Sequence, residues 1–248
     1  MTPGIYSTVS ALNARWAQQD ISAKNISSVN TVGNKRQVSS FESILKHSLE
    51  KGLPPSVTTL NRGQEPTFNL EMGSLQATHQ PLDAALINKY DFFQIQTPSG
   101  TRLTRSGHFT VNVNREVVND AGYPVLNSSG EKIILPTNGA AAFQPDGSIT
   151  VEGQPSQQKL GIMTLDEKDV AKLESEGGSI FSAEKATLTQ NNSLSLLKTG
   201  HLESSNVDMP SEMVQMIQNQ RMFDMLTRTL QIQDDGLGKA IQDLSGTT

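Results

Sequence analysis

Phe92-Phe93-Gln94-Ile95-Gln96-Thr97-Pro98-Ser99-Gly100-Thr101-Arg102-Leu103-Thr104-Arg105-Ser106-Gly107-His108-Phe109-Thr110-Val111-Asn112-Val113 decides the character of the middle of the chain. A short apolar run enters a Thr-Pro-Ser-Gly turn, returns, turns again at Ser106-Gly107, and leaves with period-two alternation. Period two places alternate side chains on opposite faces of a sheet, and turns at this spacing leave room only for short antiparallel strands. The same grammar continues through Asp120-Ala121-Gly122, Ser128-Ser129-Gly130, Asn138-Gly139, Asp146-Gly147 and Glu152-Gly153. An antiparallel β domain over 68–200 is the expectation.

Outward from it, both ends of the chain change period. Ile5, Val9, Leu12, Trp16, Gln19, Ala23 and Ile26 follow one another at spacings of four and three, a heptad seam that Thr2 and Pro3 can start and Gly33 can stop. At the other end, Met213, Met216, Ile217, Phe223, Leu226, Leu230, Leu237 and Ile241 recur at helical spacing after Pro210, with Gln220 and Gln233 interrupting. Gly236 and Gly238 weaken the last turns, so the firm part of this helix is 210–235. Between the first helix and the β domain, 37–67 reads as a connector in which Phe41, Ile44, Leu45 and Leu49 hint at a short helix and Pro54-Pro55 an extended stretch. The resulting fold class is α+β, with long N- and C-terminal helices packed as a coiled-coil-like pair flanking a central antiparallel β domain. The division is 1–36 helical assembly segment, 37–67 connector, 68–200 β domain and 201–248 helical assembly segment.

Composition excludes several functions. The 248 residues carry 20 Lys+Arg against 25 Asp+Glu, a net charge of −5, so no basic excess exists to neutralise phosphates and nucleic acid is not an expected partner. Apolar runs fall short of a membrane span, and Met1 to Tyr6 shows no basic segment followed by an apolar stretch, so neither membrane insertion nor a cleaved export signal is expected. With Cys 0, disulfides, thiolate metal sites and cysteine nucleophiles are excluded. The four histidines, His47, His79, His108 and His201, are scattered with no metal-binding pair. Asp83, Asp91, Asp146 and Asp166 could supply a glycosidase pair, but no spacing selects two of them. No catalytic, metal or cofactor residue is assigned, and Arg105 and Asp83 read as groups that fix the β domain by hydrogen bonds. The ends differ in charge: 1–51 holds six Lys/Arg against three Asp/Glu, and 202–248 three against seven, which favours their association. Five of the eight methionines (Met209, Met213, Met216, Met222, Met225) lie in the C-terminal helical region, where a flexible, polarizable side chain suits either core filling or an adaptable contact surface.

Five sequence blocks in order carry a family resemblance. Gly4-Ile5-Tyr6-Ser7-Thr8 and Ala23-Lys24-Asn25-Ile26-Ser27-Ser28-Val29-Asn30-Thr31-Val32-Gly33-Asn34-Lys35-Arg36 open the chain. Met72-Gly73-Ser74-Leu75-Gln76-Ala77-Thr78 with Gln80-Pro81-Leu82-Asp83-Ala84-Ala85-Leu86 follows. Then come Phe92-Phe93 with Leu103-Thr104-Arg105-Ser106-Gly107-His108-Phe109, and Asp120-Ala121-Gly122-Tyr123-Pro124-Val125-Leu126. Gly200-His201-Leu202-Glu203-Ser204-Ser205-Asn206-Val207-Asp208 with Glu212 to Asp224 closes the set. Together these resemble the bacterial flagellar basal-body rod protein family, of the proximal or distal rod type. Lys24 stands for a usual Asn, Asn34 for a usual Phe, and Tyr90-Asp91 for a usual Asp-Gly.

The resemblance implies a structural subunit, not an enzyme, that polymerises through its terminal helices into the axial shaft carrying motor torque to the hook. It implies no cofactor. Its implied partners are copies of itself, other rod and hook proteins, the flagellar type III export apparatus and surrounding ring proteins, in the periplasmic or cell-wall part of the basal body. The implied assembly interface comprises Ile5, Val9, Leu12, Trp16, Ala23, Ile26, Met213, Met216, Ile217, Gln220, Phe223 and Leu230. The family motif carries over to Asn25, Asn30, Thr31, Gly33, Pro81, Leu82, Asp83, Thr104, Arg105, Gly107, Phe109, Gly200, Glu203, Ser205, Asn206 and Val207. The alternative role is an envelope adhesin or scaffold with a β domain on a helical stalk, and a cell-wall hydrolase is a third.

Overall fold

The computed structural model describes residues 3–39, 66–137, 139–191 and 197–245. The short helix expected from Phe41, Ile44, Leu45 and Leu49 lies outside them. Helix α1 (Pro3–Ser27) is followed by β1 (Gln37–Val38), β2 (Thr67–Phe68), β3 (Leu75–Ala77), β4 (Ala84–Leu86), β5 (Asp91–Thr97), β6 (Gly100–Thr104), β7 (Phe109–Val111) and β8 (Val117–Asn119). Then come β9 (Ala141–Phe143), β10 (Ser148–Val151), β11 (Gln154–Lys159), β12 (Ile162–Leu165), a 3-10 turn (Glu167–Lys172), β13 (Glu174–Gly177) and β14 (Ile180–Ser182). The chain ends in β15 (Leu188–Gln190), β16 (Leu197–Thr199), β17 (His201–Glu203) and helix α2 (Met209–Ser245).

The described chain is thus predominantly β: seventeen strands against one helix at each end. This corrects the α+β reading built on a coiled-coil-like pair. The helices do run against one another, but not along a purely apolar seam. Arg15 Nη1 donates to Asn219 Oδ1 at 3.4 Å and Gln19 Nε2 to Gln220 Oε1 at 3.2 Å. The buried positions of α1 are Thr8, Ser22 and Asn25, and those of α2 are Glu212 and Asn219. A coiled coil is defined by apolar knobs at this seam, whereas the buried positions here are two hydroxyls, two amides and a carboxylate, and Leu12, Ile26, Met216, Phe223 and Leu230 are only half-buried. α2 also continues through Gly236 and Gly238. Two glycines at about 1 kcal/mol each are a tolerable charge on a helix of this length.

The chain divides into two compact units. One comprises 1–27, 37–66 and 208–248; the other comprises 28–36 and 67–207. The second unit holds a six-stranded antiparallel sheet of order β13-β14-β6-β5-β12-β15. Its central hairpin pairs Phe93 with Thr104 and Thr97 with Gly100. A three-stranded sheet β11-β10-β9 and the pairs β16-β4, β17-β3 and β7-β8 complete it. Alternation along β5 sends Phe93 and Ile95 into one core with Phe109, Phe143, Ile149 and Ile162, and Phe92 into another with Phe68, Leu103 and Phe181. Edge-to-face rings link them within each core: Phe93–Phe109 at 5.1 Å and Phe68–Phe181 at 5.1 Å.

Asparagines shape the turns. Asn119 Oδ1 accepts from the backbone N–H of Ala121 and Tyr123, and Asn127 Oδ1 from Ser129 and Glu131. A short side-chain acceptor that satisfies two loop amides holds a turn without regular structure.

Candidate functional site

Two features stand out, one in each unit. In the β unit, charged groups are buried where a chain this short of apolar residues would be expected to place none. Lys35, Arg105 and Glu203 are each 1 % exposed. Glu203 ends β17, and its carboxylate collects four donors. Lys35 Nζ reaches Oε1 at 2.7 Å and the Gly73 N–H reaches it at 3.0 Å. Arg105 Nε and Nη2 reach Oε2 at 3.1 and 2.8 Å. The remaining Arg105 nitrogen donates to the carbonyls of Asn88 and Asp91 at 2.7 and 2.5 Å. Lys35 also donates to the carbonyl of Glu71 at 2.9 Å.

Each charge perturbs the others. Burial pushes Lys35 down to about 8, the Arg105 guanidinium adds to this, and Glu203 opposes it. Burial also pulls Arg105 down, against the attraction of Glu203. Burial by itself would raise the Glu203 carboxyl, but Arg105 and Lys35 outweigh it and hold the group below its ordinary value. At neutral pH the cluster is two cations on one carboxylate, with every polar group engaged.

Glycine makes the cluster possible. Gly33 has φ +67°, and a Cβ there would lie 2.3 Å from the carbonyl carbon of Arg105. Its N–H donates to the Glu203 carbonyl at 2.8 Å. Gly107 is equally tight, since a Cβ would meet the Ala84 carbonyl oxygen at 1.6 Å. Beside them, Asn206 Oδ1 accepts from the Arg36 N–H, and its amide donates to the carbonyls of Asn69 and Glu71. Ser205 Oγ accepts from Asn34.

The cluster therefore gathers residues from across the sequence blocks. Gly33, Arg105, Glu203, Ser205 and Asn206 lie in or against it. Thr104 accepts from the Ser106 N–H, and the Gly200 N–H donates to the Asp83 carbonyl. Asp83 is buried and its carboxylate meets His108 Nδ1 at 2.7 Å. Pro81 accepts from the Phe143 N–H, Phe109 belongs to the first core and half-buried Leu82 packs against it, and Val207 is buried. Asn25 lies in the other unit, where it exchanges two hydrogen bonds with the Gln37 backbone. Asn30 is exposed, and the Thr31 N–H closes a turn onto Ser28. Lys35, Gly73, Asn88 and Asp91 are members that sequence reasoning did not assign. Lys35 stands 168 residues from Glu203, and no spacing rule connects them.

The helical unit carries the second feature, an apolar surface turned to solvent. The expected α1 seam splits in two. Leu12, Gln19 and Ile26 are half-buried, whereas Val9, Trp16 and Ala23, seven residues apart, form an outward row with Trp16 69 % exposed. On α2, Met213, Val214, Ile217, Met225 and Ile232 fall within one third of the helix circumference, opposite Glu212 and Asn219, and all are exposed. Met216, Phe223 and Leu230 are half-buried, and Gln220 is exposed. The side chain of Ile5 lies outside the described ones. Among the described residues, no three His, Asp or Glu side chains come together to hold a metal, and no helix is long and apolar enough to cross a membrane.

Comparison with known proteins gives the context of these features. Residues 198–243 match the family described as flagellar basal body rod FlgEFG protein C-terminal, and 86–152 match the flagellar hook protein FlgE/F/G D1 domain. The flagellar basal-body rod protein FlgF of Rhizobium meliloti (strain 1021) is 32 % identical over 253 residues, covering 100 % of both chains. The chain belongs to the flagellar basal-body rod protein family. The rod protein also resembles the flagellar basal-body rod protein FlgG of Buchnera aphidicola subsp. Schizaphis graminum, at 29 % identity over 98 % of this chain and 100 % of that one. FlgG of Bacillus subtilis (strain 168) is 27 % identical over 97 % and 98 %. The two matched family regions meet the two features: 86–152 contains Asn88, Asp91 and Arg105, and 198–243 contains Glu203, Asn206 and the outward face of α2.

Proposed function

We propose that this chain, a structural subunit of the bacterial flagellar basal-body rod, polymerises through the outward apolar faces of its two helices. The observation that carries the reading is the position of Val9, Trp16 and Ala23 on α1 and of Met213, Val214, Ile217, Met225 and Ile232 on α2. Apolar side chains exposed in this number on one helix face, interspersed with Arg221, Asp224 and Arg228, mark an association site. Val9, Trp16, Ala23, Met213 and Ile217 face neighbouring subunits directly. Leu12, Ile26, Met216, Gln220, Phe223 and Leu230 complete the interface as the helices pack into a multi-subunit wall. The neighbours are copies of this chain and other rod and hook proteins. The role is mechanical: the polymer is the shaft that passes torque to the hook, and the ion cluster keeps each β unit rigid under load. The chain reaches the periplasmic part of the basal body through the type III export apparatus, and its β unit faces surrounding ring proteins.

Ile217→Asp tests the reading. Ile217 is 53 % exposed, so a carboxylate there stays hydrated in the free chain and leaves folding unchanged within about 0.5 kcal/mol. Buried in a subunit contact it lacks a partner, and each copy loses several kcal/mol. The variant is expected to be made and folded yet absent from isolated basal bodies, and the cells not to swim. Normal incorporation with normal swimming refutes the interface.

A further inference from the structure

The chain passes between the helical unit and the β unit four times, at 27/28, 36/37, 66/67 and 207/208. Inside the β unit, the residues beside these passes are tied side to side by two asparagines. Buried Asn34 donates through Nδ2 to Ser28 Oγ at 2.9 Å and to Ser205 Oγ at 3.4 Å, which joins the first pass to the fourth. Asn206 Oδ1 accepts from the Arg36 N–H at 2.7 Å, and its Nδ2 donates to the carbonyls of Asn69 and Glu71, each at 2.8 Å. The Asn69 N–H donates in turn to the Arg36 carbonyl at 2.9 Å, so the second, third and fourth passes close a ring of hydrogen bonds. Lys35, through its ion pair with Glu203 at 2.7 Å, anchors the same 28–36 segment in the buried cluster.

A single pass of chain is a hinge by default. Each residue has two soft backbone torsions, and a few residues at an element's end absorb a large rotation. Here a rotation at one pass breaks hydrogen bonds to the others. Asparagine suits the position because one planar amide both accepts and donates. Aspartate at 206 would keep the Arg36 bond and set a carboxylate against two carbonyl oxygens. We infer that Asn34 and Asn206 are positioning residues for torque transfer: they clamp the four passes together, so that load entering the β unit is carried by all four at once. The inference rests on the shaft role above.

The test separates the clamp from ordinary stability. The full chain carrying Asn206→Ala is compared with a core variant, such as Ile149→Val, chosen to match its urea midpoint. In Asn206→Ala the amides of Arg36 and Asn69 are expected to accelerate in hydrogen exchange about tenfold more than those of β5 and β6, because the lost bonds are local to the passes. In the matched variant the two sets move together. Equal acceleration of both sets in Asn206→Ala overturns the clamp. In cells, motors built with Asn206→Ala are expected to turn a light bead on the hook as wild type does and to fail with a heavy one, while the matched variant turns both. Equal behaviour of the two variants under the heavy bead overturns the load sharing and leaves the shaft role standing. So does absence of Asn206→Ala from basal bodies that hold the matched variant. A wild-type chain missing from isolated basal bodies overturns the shaft role, and this inference with it. If Asn206→Ala does not fold, Asn206→Asp and Asn34→Ala, each keeping part of the clamp, carry the same comparison.

Discussion

Replacing Glu203 by Gln removes one charge and keeps the shape, and the geometry of the cluster sets the cost. The wild-type carboxylate takes two donors on each oxygen, from Lys35 and Gly73 on one and from Arg105 twice on the other. An amide has one acceptor oxygen and presents its NH2 to the remaining donors, so one side of the cluster becomes donor against donor. Lys35 has an escape, because its ammonium already sits near 8 and can release its proton. Arg105 has none, since a guanidinium does not deprotonate in proteins. Removing one partner of a buried ion pair costs about 3–5 kcal/mol, and here two cations share the lost partner. The expected destabilisation is at least about 4 kcal/mol, or about a thousandfold in the unfolding equilibrium, against a total of ~5–15 kcal/mol for an ordinary domain. Hydrogen exchange at the amides of β5 and β6 reads the stability of the β unit, while Trp16 fluorescence follows the helical unit in the same chain. Glu176→Gln is the control. It pairs with Arg102 at 2.6 Å but its side chain is 36 % exposed, so the cost is below about 1 kcal/mol. A Glu203→Gln chain within 1 kcal/mol of wild type would refute the view that this carboxylate holds the unit together.

Lys35 keeps its proton up to about 10.5 when unfolded but only to about 8 when folded, so between these values the unfolded state binds more protons and stability rises with pH. The stability of wild type relative to Lys35→Met should climb by up to about 3 kcal/mol over that window in urea titrations, and a fall would contradict the assignment. Glu203 works at the other end: its depressed carboxyl contributes stability above the ordinary glutamate range that is lost as acid protonates it, so Glu203→Gln should flatten the acid limb of the stability profile. Gly33→Ala and Gly122→Ala both place a Cβ on positive φ, but only the first meets backbone, at 2.3 Å, while nothing lies within 4 Å of the second. Thermal unfolding should show about 1–2 kcal/mol lost at Gly122 and clearly more at Gly33; equal losses would mean that the close approach to Arg105 is unimportant.

How much of this was legible in the sequence depends on the kind of signal each element leaves. The β5–β6 hairpin writes itself locally, since Phe92 to Thr104 carries both its alternation and its turn. The two helices are legible for the same reason, including a period that runs from Val9 to Ile26. Periodicity gives the stripe but not its occupant. Arg15, Gln19, Asn219 and Gln220 hydrogen-bond across the intramolecular contact, Leu12, Ile26 and Phe223 are only half-buried, and the apolar row Val9, Trp16 and Ala23 turned outward, which is why the coiled-coil expectation failed. The membership of Glu203 and Arg105 in a common motif was visible as family pattern, but their partner Lys35 was not. A single lysine next to Arg36 in a polar stretch looks like solvated surface, and its burial is a consequence of tertiary structure that no local rule encodes. Turn-forming Asn119 and Asn127 sit one residue ahead of the Gly-containing turns that the sequence displays, and their role appears only with the loop amides in place.

The ion cluster also fixes when the β unit can close. Lys35 and Glu203 enclose a loop of 168 residues, and bringing such ends together costs on the order of 4.5 kcal/mol of chain entropy before any constant term. Contacts of such span are made late, after hairpins such as β5–β6 have already shortened the effective loop. A chain emerging from its N-terminus therefore carries Lys35 and Arg105 without a counter-charge until its last fifth appears. During that interval the unit has hairpins but no lock, and the final residues of β17 act as the latch on a structure whose other parts are already waiting.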